Sequence, residues 1–395
     1  MLSIQNVEGG LKKSVGIISF FLFSFYVLQL YGLLIDVRIK DVNIQIIAGG
    51  LVLFQILCVL FYALFIRKNL SYQSGLFFNS KKIIIIFLLI FVTIELAAVI
   101  LFLKEGVPIF DADPGGAKLR IADGNGIYIR YIKYFGNIVC FSLCLLLKDR
   151  KILHYSVVII YFSTISLFGY RSELIMLMIQ YYILMSIINN NKVKHSMLRK
   201  VVILFSISCI VIGLFYFSLG QEGQENNYAS NVNRIFNRLT IEQVESVPYI
   251  INESMKYDLF PTSEIGKEIN AIANRFQGIK DNSLFYGERL HKDIFGDMGE
   301  NFLSVTTFGA ELLAFFGPFC FFLIPLGIYI PYFLLIKMSQ TKNTVLCSAY
   351  SYSVVIFLQY LIAGNFSAFF FGPILTIVIM CIPLVLLHDV LKRLN

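Results

Sequence analysis

Apolar residues run almost unbroken for about twenty positions at a time, again and again along this 395-residue chain. That is the length a helix needs to cross a bilayer. No ten-residue alternation of apolar and polar positions appears, which argues against a membrane β-barrel. Ten helical spans are expected, at about 14–35, 44–66, 83–103, 132–147, 153–169, 172–188, 200–219, 316–336, 344–363 and 368–388. The first follows Lys12 and Lys13; it is too long for a signal-peptide core and has no small-residue cleavage site, so it is read as a retained span. The predicted fold class is an all-α polytopic membrane protein, 1–395 forming one integral membrane domain.

Composition agrees with the pattern. Hydrophobic residues make up 57% of the chain and charged residues 15%, with a mean hydropathy of +0.74. A soluble protein would carry roughly 25% charged residues. The formal charge of +8 is a matter of topology rather than of nucleic-acid binding. Seventeen of the 33 basic residues fall in short segments on alternate sides of the spans: Lys12/Lys13, Arg67/Lys68/Lys81/Lys82, Lys148/Arg150/Lys151, Lys192/Lys194/Arg199/Lys200, Lys337/Lys342 and Lys392/Arg393. The positive-inside rule therefore sets both termini in the cytoplasm. Seven cysteines lie inside apolar runs with no CxxC spacing, which indicates neither a disulfide framework nor a zinc site.

Two segments on the opposite side are long. Segment 104–131, KEGVPIFDADPGGAKLRIADGNGIYIRY, reads as the first long loop. Segment 220–315 is far longer than an ordinary connector, and its composition is not that of a disordered stretch. Within it, TIEQVESVPYIINESMKY has apolar positions at 241, 244, 247, 250, 251 and 255. PTSEIGKEINAIANRF reads as a second amphipathic helix starting near Thr262. NFLSVTTFGAELLAFFG is expected to lie at, or dip into, the interface before the eighth span.

The cytoplasmic loops are short and no phosphate-loop motif occurs, so any chemistry belongs to the outer face. That face carries Arg120, Arg130, Arg171, Arg234 and Arg238, with Lys118 and Lys133 nearby. Arginine forks suit phosphate and pyrophosphate oxygens; a solvated or snorkelling side chain is the plainer reading of each. Arg171 sits in FGYRSELIM, between two apolar runs. Residues 155–188 provide roughly 51 Å of helix for two crossings that need roughly 60 Å, so this turn is held near the headgroups. An arginine at that depth requires an anion, either Glu173 or a lipid-linked phosphate. His291 is the one histidine of four on this side and an available imidazole base. Glu311 is an acid in an apolar interfacial segment. Glu95 lies inside a span, expected to pair with an arginine of the following helices. The acids of DADPGG, Asp111 and Asp113, and Asp123 lack further ligands for a metal, so none is predicted.

The order of three local patterns resembles the O-antigen or oligosaccharide repeat-unit polymerases of the Wzy type. These are EGVPIF…AKLRIADGNG, FGYRSEL, and FGAELLAFFGP at the entry to a late span. Tyr170 stands where that family commonly has a small residue, and the acidic run in the first loop is additional. The resemblance implies a polymerase on the periplasmic face of the bacterial inner membrane, transferring a glycan from undecaprenyl pyrophosphate to the non-reducing sugar of another lipid-linked repeat. It implies no cofactor, no metal and no nucleic acid, with a chain-length-regulating co-polymerase as partner. Arg171 and Arg120 would clamp the pyrophosphate, Arg130, Arg234 and Arg238 would bind donor or acceptor, and Glu311 or His291 would act as base. An O-antigen ligase shares this architecture and donor. A polysaccharide flippase is the rival of another class, though it should show more ionisable residues at the midplane.

Overall fold

The computed structural model describes residues 2–35, 41–69, 81–111, 114–169, 171–188, 244–256, 262–276, 284–295, 307–366 and 373–393. Among them every regular element is a helix. We number them α1 (Leu2–Ile35), α2 (Val42–Asn69), α3 (Lys81–Glu105), α4 (Pro114–Arg130), α5 (Gly136–Leu146), α6 (Lys151–Leu167), α7 (Arg171–Ile188), α8 (Val247–Lys256), α9 (Thr262–Phe276), α10 (Tyr286–Phe295), α11 (Phe308–Phe316), α12 (Cys320–Gln340), α13 (Thr344–Ala363) and α14 (Leu375–Arg393). Seven stretches are long and apolar enough to cross a membrane, and α6 and α7 supply two shorter apolar helices. The expected span at 200–219 lies outside the described residues.

Exposed faces of these helices carry large apolar side chains, among them Phe20, Leu64, Leu103, Ile152 and Phe322. Burying them is not required where the solvent is lipid, so the bundle is a membrane-embedded protein. What holds such helices together is close packing and interhelical hydrogen bonds. Ser14 and Ser186 join α1 to α7 at 2.5 Å, and Ser19 shares a hydrogen bond with Tyr332 of α12 at 2.8 Å. Asn137 of α5 and Gln180 of α7 exchange two amide bonds of 2.8 Å each, and Gln180 also reaches Ser351 of α13 at 3.1 Å. The Tyr26 hydroxyl and the Gln29 amide of α1 donate to the carbonyls of Leu361 and Ile362 at 3.2 and 3.0 Å. These contacts fix the register of one helix against the next.

Segment 104–131 is not a loop. Residues Pro114–Arg130 form α4, which passes through a π turn at Tyr131–Phe135 straight into α5. The glycines at 115, 116, 124 and 126 disfavour a helix, but packing overrides them. Ala117, Ile121, Asn125 and Ile129 recur every fourth residue and are all buried. Asn125 donates to Glu105 at 3.3 Å, and a methyl group added to Gly136 would come within 3.1 Å of Ile94. α4 and α5 therefore run antiparallel alongside α3. Beyond the membrane bundle, α8, α9 and α10 are the described helices of the long segment, α9 beginning at Thr262.

Candidate functional site

Two polar regions lie at the end of the bundle that carries the long segments. The first is a recess at the α6–α7 turn. Thr164 of α6 donates to Glu95 of α3 at 2.5 Å, which sets the two helices in register. From there α3 continues ten residues to Glu105 and α6 only three to Leu167. At 1.5 Å per residue the α6–α7 turn stops about 10 Å short of the end of α3. The register of neighbouring helices thus puts the α6–α7 turn below the end of α3, in keeping with the short run of residues 155–188.

Arg171 is the first residue of α7 in this recess. Glu173, one of its neighbours, forms an ion pair of 2.6 Å with Lys133, and both side chains are only 17% exposed. Glu173 thus has a partner that the sequence did not suggest, because the π turn of the preceding helix carries Lys133 to the same depth; the side chain of Arg171 lies outside the described residues. The Lys133 ammonium also lies 5.3 Å from the ring centroid of Tyr134. Tyr134 in turn packs on Tyr352 of α13 at 6.3 Å. Among the described residues Glu95 does not meet an arginine: its partner is Thr164, and its other oxygen has no hydrogen-bond partner there.

The second region is built on α11. Thr307 opens this helix by accepting from the Ala310 N–H at 3.3 Å, and Gly317, at φ 53°, ends it. Only glycine adopts that conformation readily. The chain then turns through Pro318 into α12, and α11 folds back onto its neighbour. The ring of Phe308 occupies the place that a side chain on Gly327 would need, and Gly309 lies against Gln55 of α2, 3.0 Å from where its Cβ would stand. The expected dip into the interface is therefore a short helix laid back against α12 inside the bundle.

Glu311 of this helix is 1% exposed. Its Oε1 accepts from the Phe366 N–H at 2.8 Å, with the Asn365 N–H and the Tyr360 hydroxyl also directed at the carboxylate. Gly364 and Asn365, at φ 65° and 62°, are successive left-handed residues after α13. They turn consecutive backbone amides towards one point, the arrangement that receives an anion. Oε2 has no hydrogen-bond partner among the described residues. A buried acceptor left that way costs about 1–3 kcal/mol.

Helices α9 and α10 roof this carboxylate. Tyr286 packs its ring on Phe315 at 5.0 Å. Burial, and then the nearby Glu311 carboxylate, push the Tyr286 phenol well above its usual value, so it stays a neutral donor. Arg289 bridges Glu264 at 3.2 Å and Glu268 at 3.3 Å, and Glu268 accepts from the Tyr286 N–H at 2.8 Å. Phe285, Tyr286 and Leu290 take the buried face of α10, leaving His291 half-buried beside them. Arg289, Tyr286, Glu268 and Tyr360 escaped sequence reasoning. The one available signal was the amphipathic spacing of YGERLHKDIF, which puts Tyr286, Arg289 and Leu290 on one side.

The remaining candidates are spread out. Arg120 is exposed and paired with Asp111 at 2.6 Å. It stands thirteen residues before Lys133 on the same run of helix, about 20 Å further out, so the structure does not bring it to Arg171. Arg130 is exposed, one turn before Lys133. Arg234 and Arg238 lie outside the described residues, as does Asp113. Among the described residues no group of three His, Cys, Asp or Glu side chains is placed to hold a metal ion. In comparisons with known proteins, no family model, no curated protein and no solved structure matches the chain.

Proposed function

We infer that this chain is a polymerase of polyprenyl-pyrophosphate-linked oligosaccharide repeats, acting at the face of the membrane that carries the long segments. In a Gram-negative cell that face would be periplasmic and the membrane the inner one. The observation that carries the reading is the recessed turn, where Arg171 opens α7 beside the Lys133–Glu173 pair about 10 Å below the end of α3. A lipid-linked pyrophosphate presents its charge at headgroup depth. Cations fixed there would neutralise it without exposing the lipid chain to water.

The chemistry asks little else. A hydroxyl of the acceptor sugar attacks the anomeric carbon of the donor, the bond to pyrophosphate breaks, and the hydroxyl proton passes to a base. The donor is already activated, so no nucleotide is consumed. Fixed cations stabilise the charge that grows on the leaving group, and Glu311 is our choice for the base. Tyr352 beside the recess and Tyr360 beside Glu311 are eight residues apart on α13, or about 12 Å, enough to hold a pyrophosphate at one region and its sugar at the other. His291, half-buried on α10, is the lesser candidate.

The test is to incubate the purified chain in liposomes with lipid-linked single repeat units and separate the products by length. A ladder is expected. Transfer only to a lipid A-core acceptor would make the protein a ligase. No ladder, with intact repeat units moving into sealed vesicles, would overturn the enzyme reading in favour of a transporter.

A further inference from the structure

The recess depends on an irregular helix that two other residues maintain. Residues Tyr131–Phe135 form a π turn, and no proline or cap forces it. A π turn adds one residue to the helix, so side chains on either side are rotated by about 100° relative to a regular course. The carbonyls it loosens do not go unanswered. The hydroxyl of Tyr161, fully buried on α6, donates to the Lys133 carbonyl at 2.7 Å and lies 3.4 Å from that of Ile132. Gly136 leaves the room: a Cβ there would stand 3.0 Å from the Tyr161 ring and 3.1 Å from Ile94.

What this achieves is the position of one ammonium group. Lys133 lies in an apolar span, yet its Nζ is 2.6 Å from Glu173 in the first turn of α7. An ion pair in such a place is a poor stabiliser, since two apolar side chains would serve the bundle as well or better. Ionisable groups within spans are better explained by an ion or ligand pathway. Lysine is also the suitable cation for a change of partner. Its compact charge on a flexible stem moves from one anion to another, where an arginine fork would be held by its geometry.

We propose that Lys133 is a phosphate ligand and Glu173 its resting counter-ion, the entering phosphate taking over the ammonium while Glu173 sets how hard it must compete. This rests on reading the recess as a pyrophosphate site. It adds a cation that the π turn aims and a carboxylate that tunes release of the product, which carries the same pyrophosphate.

The experiment titrates farnesyl pyrophosphate into the full chain in phosphatidylcholine nanodiscs, with inorganic pyrophosphate and farnesol as competitors. Lys133→Met is expected to weaken binding about tenfold, the loss of one charge-assisted contact, and Lys133→Arg to retain most of it. Glu173→Gln, which removes the competing anion, is expected to tighten binding several-fold. Competition by inorganic pyrophosphate supports recognition of the phosphates, whether free or lipid-borne. Competition by inorganic pyrophosphate as strong as by unlabelled farnesyl pyrophosphate assigns the site to free anion, and weaker competition assigns it to a lipid headgroup. Competition by farnesol alone overturns the proposal, as does unchanged affinity in Lys133→Met or weaker binding in Glu173→Gln. If Lys133→Met fails to insert, the direction of the Glu173→Gln shift decides. Pyrophosphate binding without a product ladder would sink the polymerase reading and leave this site standing.

Discussion

The recess and the α11 region each bury a carboxylate at the same end of the bundle, and they treat it in opposite ways. Glu173 is answered by a full positive charge, Lys133 at 2.6 Å. Glu311 is answered by neutral groups, the Phe366 N–H with the Asn365 N–H and the Tyr360 hydroxyl, under a roof whose arginine belongs to other acids. A cation neutralises a carboxylate and holds it ionised. Backbone amides also favour the ionised form, but they orient the carboxylate without supplying a counter-charge that could leave with another anion. The first arrangement is suited to exchanging anions and the second to exchanging a proton. On the proposed polymerase reading, phosphate belongs to the first region and the reacting hydroxyl to the second.

Glu311→Gln breaks the comparison most sharply. The amide keeps the size of the side chain and an oxygen for the Phe366 N–H, but it cannot take up a proton. Loss of a general base costs about 10³-fold in rate. The amount of polymer formed per folded molecule should fall by that order, while detergent-solubilised protein elutes as before in size exclusion. A variant that polymerises at the normal rate would leave Glu311 a purely structural acid.

Arg289→Ala acts on the roof alone. It removes the cation shared by Glu264 and Glu268 and the contact over the Tyr286 ring at 5.8 Å. With the guanidinium about a fifth exposed, its removal should cost about 2 kcal/mol locally. Hydrogen exchange in α9 and α10 should then quicken by roughly 30-fold, with protection of α13 and α5 unchanged. Equal quickening throughout would show that the roof and the bundle unfold as one unit, and the contrast between the two regions would lose its basis.

How much of this was legible in the sequence follows from the kind of contact involved. The recess was legible, because depth is a matter of counting: too few residues lie between 155 and 188 for two full crossings. The helical course of 114–130 was written at positions 117, 121, 125 and 129, but four glycines concealed it behind a loop-like composition. The partner of Glu311 was not legible at all. It is a backbone amide 55 residues away, and any residue but proline carries one. Lys133 was visible as a charge but not as the partner of Glu173, because a π turn has no sequence signature and shifts the face on which later side chains appear. Arg289 was overlooked beside a histidine, the residue type that draws attention when a base is sought.

Glu95 gives the smallest expected effect and separates the enzyme from the transporter. It lies inside α3, bound to the Thr164 hydroxyl at 2.5 Å, with one oxygen unpartnered among the described residues. In a polymerase its role is to tie α3 to α6 and so set the depth of the recess. Glu95→Gln preserves an acceptor for Thr164 and exchanges the unpartnered oxygen for an amide nitrogen, a change worth about 1 kcal/mol at most. The apparent Tm should move by a few degrees and the product ladder should be unchanged. A transporter driven by protons would need this carboxyl to titrate, and the neutral amide would abolish movement of lipid-linked repeats while leaving the protein folded. Measured side by side in sealed vesicles, ladder and uptake give opposite answers for this one substitution. A normal ladder in Glu95→Gln confines the chemistry to the two regions at the end of the bundle.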